Sequence, residues 1–600
     1  MILIYILLAT LQVRHVWQLT RLSGIGKVPL DRYFVLRIFA DSLSLILFFN
    51  ISQGLFFWHP WVAAIGLFLF VGGYGVLCAY HLKAKVPIDW SLTHQNIGRA
   101  FSPGSGAVVG KAFDSHTLWW MLSALAVCGC LVAYTSPLVS VSPEFILVSS
   151  IVYGVFVCLH RNSSDPFLYF FNSIYTDIWG HSWAQKNLSG NNTSFLNNTH
   201  KTLSYREPQP TPLPHIFLIL SESLKAHALD KTTPDGRAYT PFLNQLKQES
   251  LFVEWFYSNS IRTSKVHFST LFSFFPSLKG RIFTDHQDLN IESIGTTLKQ
   301  AGYRSYFIQA QSEDHDDTAG FLTQRGFDSF ETIPAFLTPE ELATKSCWGV
   351  DDTLFYRGVL RSVDTKLREN DGPCLFVLAP IANHFPYSIL PENKRRLYPE
   401  PLTPWEEYAN SVYWSDQGLQ SFFSALNTHP TLKQSLVVLT GDHGVPLGEH
   451  GTTGLEIGYY DESYRVPLFV TWPGHVQPHI IRHQAHSQLD ILPTILDLIG
   501  LRPGPNHFQG HSILNSPATK PILMVQPYGG GIVAILRYPI KYIWHVRSNK
   551  TEAYALDIDP AETQNIVTTL SPNIIAQFKS DLDYFLQADA AIRNNALFTP

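Results

Sequence analysis

Apolar residues follow two patterns along this chain. Before residue 160 they run almost unbroken: between Ile38 and Leu82 the only charged side chain is Asp41, and between Ser115 and His160 it is Glu144. Each window holds two helices of roughly 20 residues, the length that crosses a hydrocarbon core. The expected spans lie near 38–58, 61–81, 117–135 and 143–160, with a fifth from Met1 to about Leu19 that tolerates Arg14 and His15. The aromatic segment 166–180 suits either a helix lying at the headgroup level or a partly buried linker helix. An Asn/Ser/Thr-rich stretch at 186–204 and a proline-rich one at 208–214 read as linker.

After Pro214 the apolar residues come in short bursts. HIFLIL (215–220), YRSYFI (303–308), CLFVLA (374–379), SLVVLT (435–440) and VPLFVT (466–471) have strand composition, and SIGTTLKQAG and QLDILPTILDLIG have helix patterns. This βαβ rhythm predicts an α/β domain over 214–600 with a largely parallel central sheet covered on both faces. It would follow a transmembrane domain of about five helices (1–160) and an interfacial helix and linker (161–213).

Composition agrees with that division. Charged residues make up 15% of the 600, against about 25% in an ordinary soluble chain, which points to membrane segments. A net charge of −5 gives no basic footprint for nucleic acid. The six cysteines show no CxxC spacing, and only Cys347 and Cys374 lie in the polar part, where a bridge between them stays open. Basic residues conflict with the chemistry derived below. Arg14, Arg21, Lys27 and Arg32 in one loop, and Lys83, Lys85, Arg99 and Lys111 in another, would by charge bias put both loops and the C-terminal domain in the cytoplasm.

In parallel sheets ligands bind beyond the carboxyl ends of the strands. Here those ends carry Glu222 between two serines, Asp442-His443 between two glycines, Asn383-His384, and Glu313-Asp314-His315. Carboxylates and imidazoles gathered at one sheet edge repel and desolvate one another unless a cation neutralises them, and they suit Zn²⁺ or Mn²⁺. The segment 258–277 begins polar and turns into a helix of small and aromatic residues, with Thr263 and Ser264 at its start. A hydroxyl there lies where a helix N-terminus favours an anion. Ser and Thr are also ordinary N-caps, and both readings stand at this point.

The block from about 214 to 570 resembles the sulfatase/alkaline-phosphatase superfamily, and within it the membrane-bound lipoteichoic acid synthase and phosphoethanolamine transferase groups. The resemblance rests on IFLILSESL (216–224), IRTSKVHFSTLFS (261–273), LKQAGYRSYFI (298–308), CWGVDD (347–352), NHFPY (383–387), TGDHG (440–444), YDESYRVPLFVTWPG (460–474), LDILPTILDLIG (489–500) and YALDIDPAETQNI (554–566). It implies that Glu222, Asp442 and His443 are metal ligands, with Thr263 as fourth ligand and nucleophile, for Mn²⁺ or Zn²⁺, with Mg²⁺ as the alternative. By the same resemblance five further residues fall at substrate-binding positions: Trp348 and Asp351 in the lining of the headgroup pocket, His384 against the phosphoryl group or a second metal, Arg262 beside the nucleophile where it would steady phosphate oxygens, and His450 with a second-metal role as its alternative. True sulfatases carry Cys-x-Pro-x-Arg where this chain reads Ile-Arg-Thr-Ser-Lys, and Glu222 stands without an adjacent acid, which disfavours sulfate-ester hydrolysis. The implied activity is transfer of a phosphoglycerol or phosphoethanolamine headgroup from a membrane phospholipid, through a phospho-threonine, to an envelope glycan or lipid. A phosphodiesterase or phosphatase-type hydrolase and an inactive envelope-binding scaffold are the alternatives. The implied location is a bacterial cytoplasmic membrane with the catalytic domain outside, against the loop charges.

Overall fold

The computed structural model describes residues 212–595, apart from 312–313, 315, 347, 388–393, 395, 454–457, 502–505, 518–519, 529–530 and 547–548, together with the isolated positions 77 and 170. The chain divides into two compact units, Met1–Ser189 with Tyr528–Gly530, and Gly190–Pro527 with Gly531–Pro600. The predicted spans, interfacial helix and linker lie almost wholly outside the described residues. Among the described residues no helix is long and apolar enough to cross a membrane.

The second unit is built on strands β1 (Ile216–Ser221), β2 (Leu251–Tyr257), β3 (Arg304–Gln309), β4 (Ser329–Glu331), β5 (Cys374–Ala379), β6 (Leu436–Gly441), β7 (Arg465–Thr471) and β8 (His479–Ser487). They form one sheet in the order β4-β3-β5-β1-β6-β7-β2-β8. Every pairing is parallel except those of β7, which runs against both β6 and β2. The sheet is therefore largely parallel as expected, but VPLFVT is its antiparallel member. The reason lies in the connection: the stretch from β6 to β7 holds only a single turn of helix, Asp461–Tyr464, among its described residues. That turn lies at the end of the sheet where β6 stops, so β7 starts there and runs back, with Leu468 opposite Thr440 and Thr471 opposite Val437.

Burial on both faces explains the continuous apolar runs. Along β1, Ile216, Leu218 and Leu220 enter one core, while Phe217 and Ile219 enter the other. On β5, Leu375 and Val377 face the first core, with Phe376 and Leu378 facing the second. Helices α1 (Pro241–Glu249), α2 (Thr263–Phe272), α3 (Ile294–Lys299), α4 (Asp352–Glu369), α5 (Pro404–Thr428), α6 (Ile491–Leu498) and α7 (Pro572–Arg593) cover these faces. α2, α3, α6 and α7 supply apolar residues to the first core, α1, α4 and α5 to the second. The long α5 starts at a capping box in which Thr403 and Glu406 satisfy each other's backbone N–H groups, with Pro404 at the first helical position. Cys374 is a buried free thiol, so no bridge involves it.

A second sheet, β9 (Ile522–Gln526), β10 (Ile532–Arg537), β11 (Ile540–His545) and β12 (Lys550–Ala555), is antiparallel in the order β12-β11-β10-β9. Sequence reading marked only its end, at 554–566.

Candidate metal site and nucleophile

Register places the first two acids together. β1 pairs β6 in parallel with Ser221 opposite Gly441, so the next residues, Glu222 and Asp442, leave the sheet side by side. Two glycines let the backbones close in. A Cβ on Gly441 would lie 2.1 Å from the Leu224 carbonyl, and one on Gly444 would lie 2.3 Å from the Glu462 carbonyl. Ser223 adopts a left-handed conformation (φ 49°), which turns its N–H onto Asp442 Oδ1 at 2.7 Å. The His443 N–H reaches the same oxygen at 2.6 Å.

His443 donates from Nδ1 to the Gly444 carbonyl at 2.9 Å. That bond fixes the tautomer and leaves the Nε2 lone pair facing inward. Nε2 lies 3.8 Å from Glu222 Oε1, 3.4 Å from Asp442 Oδ2 and 3.4 Å from the Thr263 hydroxyl. One ligand atom from each of Glu222, Asp442 and His443 lies within 4.8 Å of the others.

Thr263 opens α2, and the N-cap is Arg262, which makes no side-chain capping bond. The Thr263 hydroxyl thus sits one position past the cap, turned to His443. Residues 264–272 are all buried, so the helix is fixed in place. A buried amide joins this helix to the ligand turn. Gln488 donates to the Gly441 and Asp442 carbonyls at 2.9 and 2.6 Å and accepts from the Asn259 N–H at 3.2 Å. Neither Gln488 nor Asn259 was marked by the sequence. The available signal was the polar run Ser258-Asn259-Ser260 inside an apolar segment, whose three side chains are wholly buried.

The electrostatics of the cluster are unbalanced. Glu222 and Asp442 are 3% and 0% exposed. Burial, then repulsion by Asp442, raises the Glu222 pKa. Burial pushes Asp442 up to about 7 despite the N–H bonds from Ser223 and His443. Among the described residues neither carboxylate pairs with Lys or Arg, and Asp442 Oδ2 is a buried oxygen with no hydrogen-bond partner. Two buried acids, a lone pair directed between them and an orphaned oxygen fit a divalent cation, which removes the repulsion and satisfies the oxygen.

The remaining predicted residues fall into two groups. His384 follows the end of β5 and is near enough to Glu222 to lower its pKa. Its ring packs on Trp348, with centroids 4.2 Å apart. Arg262, Asp351 and His450 are engaged by the protein. Arg262 pairs with Asp316 at 3.2 Å. Asp351 caps α4 through the Thr353 and Leu354 N–H groups and accepts from Trp414 at 3.0 Å. His450 donates from Nδ1 to Glu462 at 2.8 Å and from Nε2 to the Ala561 carbonyl at 2.9 Å, so neither ring nitrogen faces the acid cluster.

Residues 214–501 match the family model described as Sulfatase. The lipoteichoic acid synthase-like protein YvgJ of Bacillus subtilis is 26% identical over 321 residues, covering 51% of this chain and 50% of the relative. Phosphoglycerol transferase I of Salmonella arizonae is 23% identical over 314 residues, covering 49% of this chain and 39% of the relative. The chain spans about half the length, or less, of these curated relatives. The lipoteichoic acid synthase LtaP from Listeria monocytogenes superposes with a TM-score of 0.55 at 19% identity, covering 68% of this chain and 98% of that one, a likeness of fold.

Proposed function

Because residues 214–501 form a sulfatase-family domain and the chain resembles the lipoteichoic acid synthase group of the sulfatase/alkaline-phosphatase superfamily, we propose that it is a metal-dependent phospholipid headgroup transferase. The observation that carries this reading is the Thr263 hydroxyl placed 3.4 Å from His443 Nε2, at the mouth of a buried acid pair that lacks a counter-charge. The names of the relatives favour phosphoglycerol over phosphoethanolamine.

Glu222, Asp442, His443 and Thr263 would hold the ion, Mn²⁺ or Zn²⁺ by donor type. When bound, it supplies Lewis-acid neutralisation of phosphoryl charge and favours the ionised hydroxyl. Thr263 attacks phosphorus in line; its Oγ–P bond forms as the bond to the diacylglycerol oxygen breaks, and the proton lost by the Thr263 hydroxyl passes to that oxygen. The N-terminal amides of α2 face the phosphoryl oxygens from the side of the nucleophile. An acceptor hydroxyl then attacks the phospho-threonine; its O–P bond forms as the Thr263 Oγ–P bond breaks, and its proton passes to the Thr263 oxygen. His384 and Trp348, packed on one another, would meet the headgroup by stacking and hydrogen bonding. Spans before residue 160 would keep the domain at the surface of the lipid, on the outer side of a bacterial cytoplasmic membrane.

Full-length protein supplied with Mn²⁺ and headgroup-labelled phosphatidylglycerol or phosphatidylethanolamine should release diacylglycerol and carry a mass adduct on Thr263. The mass names the headgroup. Thr263→Ala should lower turnover by about a thousandfold or more. Turnover retained in that variant would refute the nucleophile. Free headgroup phosphate as the sole product, with any acceptor present, would favour the hydrolase.

A further inference from the structure

Glu449 and His450 follow the ligand turn by six and seven residues, and each is tied to a different part of the molecule. On one side, Glu449 forms an ion pair with Lys225, a wholly buried lysine three residues beyond Glu222. Lys225 Nζ also donates to the Val445 carbonyl at 2.8 Å, and Glu449 itself accepts from the Leu447 N–H at 2.6 Å. The strand that carries Glu222 is thereby fastened to the loop leaving His443.

On the other side, His450 bridges Glu462 and Ala561, and its ring lies flat on Tyr460, with centroids 3.7 Å apart and planes 16° apart. Glu462 belongs to the turn Asp461–Tyr464, which backs the ligand turn directly. The Gly444 N–H donates to the Ser463 carbonyl at 2.9 Å, and the Glu462 carbonyl leaves no room for a Cβ on Gly444. Both ring nitrogens of His450 meet acceptors, so both donate.

We propose that Glu449 and His450 are positioning residues: a two-sided clasp that holds the Asp442–His443 turn at the separation from Glu222 that a divalent ion requires. The proposal rests on the metal-dependent reading of the site. It reassigns His450 from contact with substrate to support of the ligands. Without the clasp the fold persists, because the two cores lie on the two faces of the sheet, but the ligand oxygens and nitrogen lose their preset spacing. Outer partners of metal ligands typically alter affinity by about 10–100-fold when changed.

The test compares Mn²⁺ dissociation constants and metal-free thermal midpoints of the full-length protein and three variants. His450→Gln and Glu449→Gln break the two sides of the clasp. Asp581→Asn breaks a pair of comparable geometry far along the chain, Arg537–Asp581 at 2.6 Å, which joins β10 to α7. The clasp variants should bind Mn²⁺ about 10–100-fold more weakly. Asp581→Asn should lower the midpoint and leave Mn²⁺ affinity at the wild-type value. Wild-type affinity in both clasp variants would overturn the proposal, as would an equal loss of affinity in Asp581→Asn, which would trace the effect to general destabilisation. A wild-type protein that binds no Mn²⁺ would overturn the metal reading itself.

Discussion

The buried pairs Asp461–Glu562 and Glu222–Asp442 are provided with counter-charge in opposite ways. Asp461 and Glu562 are 2% and 3% exposed and share the wholly buried Lys541, whose Nζ lies 3.0 Å from one and 2.8 Å from the other. Tyr257 donates to Asp461 at 3.0 Å, and the Asp461 N–H reaches Glu562 at 2.5 Å. Burial pushes the Lys541 ammonium down, but Glu562 and Asp461 outweigh it and raise its pKa. Glu222 and Asp442 are as deeply buried, yet receive only an imidazole lone pair and hydrogen bonds. A chain able to place Lys541 in one cluster has left the other without a cation. That difference separates a cluster whose charge is half offset by a lysine of its own from one that holds no side-chain cation among the described residues and is shaped for one that arrives from outside.

The contrast breaks most sharply at Lys541. Lys541→Met strands two buried charges and should cost about 3–5 kcal/mol of stability. The fall in thermal midpoint should be the same with and without Mn²⁺. A variant rescued by Mn²⁺ would mean that the two clusters are not independent.

Metal removal probes the other side. With Mn²⁺ at a hundred times its dissociation constant, the native state should gain about 2.7 kcal/mol, and a chelator should take that gain away. A midpoint indifferent to both would place the counter-charge elsewhere.

The smallest effect is expected from Asp442→Asn without metal. The amide keeps an oxygen for the Ser223 and His443 N–H groups and removes a charge that burial already disfavours. Metal-free stability should change by less than about 1 kcal/mol, while the response to Mn²⁺ disappears. A large metal-free loss would show that Asp442 is a structural acid like Asp461.

These pairs differ in how far they were legible. Strands β1, β3, β5, β6 and β7 stood out as apolar bursts, and the acids beyond them as polar interruptions, because alternation and burial are local properties of a chain. Lys541 gave no such signal: it is an inward-facing lysine in a strand that also carries Tyr542 and Trp544, and nothing nearby in sequence announces its partners. Gln488 and Asn259 escaped for the same reason: the Gln488 amide is satisfied by backbone groups 46 and 229 positions away, and the Asn259 amide by those of Leu489 and Leu523, 230 and 264 positions away. His450 was assigned to the site by the resemblance, and only its partners Glu462 and Ala561 show what its ring nitrogens hold.

By itself the sequence determined that a doubly covered sheet would form after residue 214, which strands would end in acids and imidazoles, and that no cysteine stands in the stretch where sulfatases carry one. Tertiary structure decided the rest: the register that sets Ser221 opposite Gly441, the reversed direction of β7, the free thiol at Cys374, and which acid pair received a lysine. The physical reason is range. Hydrophobic periodicity is written within a few residues, whereas the Ser223–Asp442 bond closes a separation of 219 residues, and such contacts exist only once the whole sheet has assembled.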